Sequence, residues 1–119
     1  MKFNEFKKIA SKYKVKVKRD TLNCDRNHGA CAGRQIYLGK FDEEGTEEVA
    51  FFHELGHALS EERVCKRGCV MSKLSEEGLA WELGLGIAHE HGYTWDYYSP
   101  EMKWARKQLA TYIPKPEIH

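Results

Sequence analysis

The sequence predicts a mostly helical α+β chain, and three observations predict it. Apolar residues recur at helical spacing in four stretches, about residues 3–13, 46–60, 72 or 75 to 91, and 99–112. Two short stretches, 14–18 and 34–38, alternate apolar and polar residues as half-exposed strands do. Clusters of Gly, Asn and Asp punctuate the rest. A chain of 119 residues can bury one core, so a single domain over 1–119 is expected.

The first helix carries Phe3, Phe6, Ile9, Ala10 and Tyr13 with lysines between them, the pattern of an amphipathic surface helix. In the following strand Val15 and Val17 point to one face and three lysines to the other. Residues 20–34 hold Asn23, Asp25, Asn27, Gly29 and Gly33 and read as a turn-rich segment. Ile36 and Leu38 form one face of the second strand, which Gly39 ends. Thr46 suits the N-cap of the next helix, and Glu47 and Glu48 suit its positive end. That helix should run to about Ser60, with a polar loop over 61–71. The following helix is apolar on most sides and should be central; Gly92 stops it. Ser99-Pro100-Glu101 is a helix start, with an N-cap, a proline at the first position and an acid in the first turn.

Positive and negative charges nearly cancel, at a formal net charge of +1, so bulk electrostatics name no partner. Lysines crowd the first twenty residues and acids the stretch 42–48. A solvated helix face and the outer side of a strand account for the lysines, so direct nucleic-acid binding is not expected. No apolar run follows the N-terminal lysines as in a signal peptide, and no stretch reaches the length of a membrane span. A cytoplasmic location with reduced cysteines is the expectation.

The chemistry concentrates in His53-Glu54-Leu55-Gly56-His57. On a helix of 3.6 residues per turn, His53 and His57 leave one face about a turn apart. Two imidazoles so placed can share a tetrahedral zinc ion. Glu54 lies on a neighbouring line, where a carboxylate can accept a proton without being a ligand. Phe51, Phe52, Leu55 and Leu59 gather on another side of the same helix, so one flank belongs in a core and another can face a cleft.

A catalytic zinc site usually takes three protein ligands. The extended motif with a third histidine fails, because Ser60 and Arg63 stand at its glycine and histidine positions. Glu76, Glu77 and Glu82 on the following helix remain as candidates. Glu82 shares the polar side with Gly78 and His89 and is set aside. Glu77 shares a line with Gly84 and Ala88, and small residues along one line let a second helix approach closely. Gly56 inside the histidine motif fits the same close approach. Glu77 is therefore the preferred third ligand, with Glu76 the alternative.

With these residues in place, the chain resembles the ImmA/IrrE family of small zinc metallopeptidase-like proteins of bacteria and phages. The resemblance covers about residues 33–87: the strand Gly33-Arg34-Gln35-Ile36-Tyr37-Leu38, the histidine motif, and a helix carrying a third glutamate. In the family that glutamate lies four residues before a position often held by asparagine, which puts Glu77 at the ligand position and, as a departure, Trp81 at the asparagine position. The resemblance implies a helix-rich α+β domain, a minimal zincin-like fold with a small sheet edging the HExxH helix. It also implies a zinc metalloendopeptidase acting on a protein substrate such as a transcriptional repressor.

The expected mechanism is zinc-dependent peptide hydrolysis, with His53, His57 and Glu77 as ligands and Glu54 as general base. The substrate would lie as an added strand beside residues 34–38. Tyr37, Tyr93, Tyr97 and Tyr98 are each able to stabilise an oxyanion, and His28 could approach a substrate. The alternative is a non-catalytic regulatory protein that uses the same zinc-binding cleft. Cys24, Cys31, Cys65 and Cys69 could together form a second, structural zinc site of four thiolates, although six residues separate the first pair; unpaired thiols are the simpler reading. His89 and His91 read as exposed histidines that favour a helix C-terminus.

Overall fold

The structure, a computed structural model, describes residues 3–67 and 73–111; for 61–67, 73 and 74 it describes the backbone alone. The chain runs through α1 (Phe3–Ser11), β1 (Lys16–Arg19), β2 (Gly29–Ala32), β3 (Gln35–Leu38), α2 (Glu44–Arg67), α3 (Lys73–Glu90) and α4 (Pro100–Ala110). This is the mostly helical α+β architecture expected from the apolar spacing. The sheet is mixed, in the order β1-β3-β2: β1 pairs parallel with β3, and β2 antiparallel.

α1 buries Phe6, Ile9 and Ala10. It ends where Lys14 takes a left-handed conformation (φ 59°), with Val15 N–H donating to Ala10 O at 3.0 Å and Lys14 N–H to Ser11 O at 3.1 Å. This is the Schellman arrangement, and it takes up the residue at which the first strand was expected to begin. β1 therefore starts at Lys16. Val15 and Val17 are buried, and Lys14, Lys16 and Lys18 are exposed.

β2 lies inside the segment expected to be turns alone. Its sequence, Gly-Ala-Cys-Ala, lacks the β-branched and aromatic residues that mark strands. The hairpin holds it in place: Ala32 pairs with Gln35, and of the two residues between them Gly33 takes the positive φ (59°). β3 is the central strand, paired on both sides, with Ile36 and Leu38 fully buried. It has no edge to offer a substrate strand, which corrects the docking site expected at residues 34–38; the sheet edge on the α2 side is β2.

α2 begins at Glu44, so Thr46 is not its N-cap but a buried first-turn residue. It also continues to Arg67 instead of stopping at Ser60. Residues 61–67 are polar, yet Glu, Arg and Lys are good helix formers, and polarity alone does not end a helix. α2 is the hub of the fold. Phe51, Phe52 and Leu55 are fully buried against Phe6, Ile36 and Leu38, with the Phe6 and Phe51 rings stacked at 4.5 Å. Burial of each such side chain contributes about 1.5–3 kcal/mol. The other flank of α2 buries Val49 with Trp81 of α3 and Ala105 of α4.

α3 crosses α2 at two glycines. A β-carbon on Gly56 would overlap the Ala80 carbonyl oxygen, and one on Gly84 would overlap the Phe52 carbonyl oxygen. The two backbones touch, as the small-residue line on α3 leads one to expect. Gly92 (φ 83°) ends α3, with Tyr93 N–H donating to Ala88 O at 2.8 Å. Ser99 caps α4, its hydroxyl accepting from Met102 N–H at 3.2 Å, and Pro100 is the first helical residue. No helix among the described residues is long and apolar enough to cross a membrane.

Candidate metal centre

Three side chains converge where α2 and α3 lie closest. His53 and His57, one turn apart on α2, bring their Nε2 atoms to 3.1 Å. Glu77 of α3 reaches both: its Oε2 is 3.0 Å from His53 Nε2, and its Oε1 is 3.1 Å from His57 Nε2. The glycine crossing explains the reach, since Glu77 lies two turns before Gly84 on a helix whose backbone touches α2.

The donor set suits a cation. His53 and Glu77 are buried, at 9% and 4% exposure, and His57 is half-buried. Burial lowers the His53 pKa and outweighs the hydrogen bond to Glu77, so the ring is neutral and offers a lone pair. Burial pushes the Glu77 carboxyl up, but the hydrogen bonds and charges of His53 and His57 outweigh it and hold the pKa at about 2. Two imidazoles and an ionised carboxylate, with ligand atoms all within 4.8 Å of one another, could hold a metal ion. Among the described residues this is the one such group.

Glu54 borders the same cavity without joining the three. It is 8% exposed, and burial pushes its pKa up to about 7, with the charge of Glu77 adding and that of His57 opposing. The cavity holds about 120 Å3. His53, Glu54, His57 and Glu77 form its polar wall; His28 and Gly29 border it from the β2 side, and Trp104 and Gln108 from α4.

The structure brings together His53, Glu54, His57 and Glu77. Glu76 is half-buried and Glu82 exposed, and neither joins the group. None of the four candidate tyrosines borders the cavity. The Tyr93 hydroxyl donates to Glu5 at 3.4 Å, and Tyr97 and Tyr98 are 64% and 79% exposed. The hydrogen-bond donors that do border it are His28, Trp104 and Gln108. The sequence reading missed the last two; their i, i+4 spacing on α4 was the available signal.

The Cys31 thiol donates to the Gly33 carbonyl oxygen at 3.5 Å, and burial, then the neighbouring acids Asp20, Glu54 and Asp25, pushes the Cys24 pKa up. The side chain of Cys65 and all of Cys69 lie outside the described residues, and so does the four-cysteine grouping. His89 is exposed and His91 half-buried, and neither belongs to the metal-holding group. No family model, curated protein or solved structure matches the chain.

Proposed function

We propose that this chain is a zinc-dependent metallopeptidase that hydrolyses a peptide bond in a protein substrate. The observation that carries the reading is the convergence of His53, His57 and Glu77 in one cavity with a buried carboxylate, Glu54, that is not part of the group. Two imidazoles and a carboxylate suit zinc, and a zinc ion held there supplies Lewis acidity toward a water molecule and a peptide carbonyl.

The chain's own residues supply the rest. Glu54, a buried carboxylate that borders the cavity beside the metal-holding group, is placed to accept a proton from the attacking water and to hand it to the departing amine nitrogen. His28 on one wall of the cavity and Trp104 and Gln108 on the other carry N–H donors of the kind that stabilise a carbonyl oxygen as it gains charge. A substrate in extended form pairs with the edge strand β2, which leads from Gly29 at the cavity. The resemblance to the ImmA/IrrE family adds a substrate class, a regulatory protein such as a transcriptional repressor.

The test is Glu54→Gln. The variant keeps its zinc and loses cleavage of a protein or peptide that the wild type cleaves. Cleavage at the wild-type rate would remove Glu54 from the mechanism. Zinc binding with no hydrolysis by the wild type across a broad peptide library would favour a zinc-binding regulator instead.

A further inference from the structure

The imidazole of His53 is held in an unusual way. Its Nε2 faces Glu77 and His57, and in a neutral ring that gives its Nε2 lone pair to a metal the proton sits on Nδ1. Metal-binding histidines nearly always donate that second N–H to a carboxylate, a carbonyl or a water, which fixes the ring plane. Here His53 Nδ1 is buried with no hydrogen-bond partner among the described residues. What it has is a neighbour: the indole of Trp81 lies over the ring, with centroids 3.9 Å apart and planes 21° apart. Trp81 Nε1 is also buried without a partner among the described residues, and as a donor it cannot satisfy another N–H. The contact is therefore a stack of faces, with no hydrogen bond between the two rings.

We propose that Trp81 is the positioning residue of the metal centre, and that its stacked indole fixes the His53 ring plane in place of a hydrogen-bond acceptor at Nδ1. The indole is itself rigidly held. Trp81 is 7% exposed and packs with Val49 and Ala105, and the ring of Trp104 meets it edge-on at 6.3 Å and 72°. It sits four residues after Glu77, so one face of α3 provides both a ligand and the wall that orients another. The contacts at Gly56 and Gly84 set the distance between the helices, and with it the stacking distance. The stack also favours the loaded centre over the empty one. An imidazole that shares its lone pair with a cation gains positive character, and the electron-rich indole face attracts it more strongly.

This inference rests on the metal centre and is independent of peptide hydrolysis. The test is zinc affinity of the full chain, measured by competition with a chromophoric chelator, for wild type, Trp81→Phe and Trp81→Leu. Phenylalanine keeps a stacking face and should bind zinc within about threefold of wild type, in line with the modest energy of one aromatic pair. Leucine keeps apolar bulk without a face and should weaken zinc by roughly tenfold or more, the usual cost of losing a group that orients a ligand. The cobalt-loaded leucine variant should also show an altered absorption spectrum, while the metal-free thermal midpoints of the two variants stay alike. Equal affinities for leucine variant and wild type, or equal losses in both variants, would overturn the proposal.

A second measurement needs no variant. In the zinc-loaded wild type the carbon-bound ring protons of His53 should lie upfield of those of His57, shifted by the indole ring current. Coincident shifts would overturn the stack. A wild-type chain that takes up no zinc overturns the centre and this role together, whereas zinc uptake without hydrolysis overturns only the peptidase reading.

Discussion

Gly29 of β2 lies directly against Glu54 of α2: a β-carbon on Gly29 would stand 3.3 Å from Glu54 Cγ and 3.1 Å from Leu38 Cδ2. The edge strand and the buried carboxylate are thus in contact at the cavity wall, and the absence of a side chain on the strand is what permits it.

Gly29→Ala should therefore act on Glu54 more than on the fold. The neighbours must yield only a few tenths of an ångström, so the stability cost should be about 1 kcal/mol, at the low end for overpacking. Zinc affinity should hold, because no ligand is touched, while the rate of any hydrolysis should fall. Chemical denaturation beside a zinc titration checks the first two expectations.

Gly56→Ala and Gly84→Ala should be far more costly. Each added methyl would overlap a backbone carbonyl of the facing helix, which cannot rotate away. Destabilisation of about 3 kcal/mol, the upper range for overpacking, is expected in urea unfolding. Zinc affinity should fall as well, since separating α2 from α3 draws Glu77 away from His53 and His57.

That crossing was legible in the sequence, because Gly56, Glu77, Gly84 and Ala88 fall on helical lines that make sense only if two helices meet there. The caps at Gly92 and Ser99-Pro100 were equally legible, since their chemistry is local. What escaped the sequence depends on partners far along the chain. Gly-Ala-Cys-Ala becomes β2 only because β3 is there to pair with it. Trp104 and Gln108 reach the cavity only because α4 docks on α2. Residues 61–67 extend α2 by helix propensity although nothing in their apolar pattern signals a helix.

Metal-free stability should vary with pH in two windows. Glu54 has a folded pKa of about 7, above the ordinary 4.5, so the folded state retains a proton that the unfolded chain releases. Stability should therefore fall as pH rises from about 4.5 to about 7, by at most about 3 kcal/mol. Glu54→Gln should flatten that window. Glu77 behaves oppositely: its pKa is held at about 2, so its contribution is present above about 4.5 and is lost as pH falls toward 2. Thermal midpoints of wild type, Glu54→Gln and Glu77→Gln across pH 3–8 separate the two; a curve for Glu54→Gln that parallels wild type between 4.5 and 7 would contradict the assignment.

Among the three candidate acids of α3, only Glu77 meets the histidines. Glu77→Gln should weaken zinc binding by roughly tenfold or more, because an amide is a poor replacement for a carboxylate ligand. Glu76→Gln and Glu82→Gln should leave it unchanged. Isothermal titration of the three variants with zinc distinguishes them.

The most direct test of the account is the zinc content of the full chain, purified without chelators, measured by elemental analysis for wild type and His53→Ala. One zinc per chain in wild type and none in the variant is the predicted result. No zinc in wild type after reconstitution, or a zinc that survives loss of His53, would contradict a metal centre built on His53, His57 and Glu77.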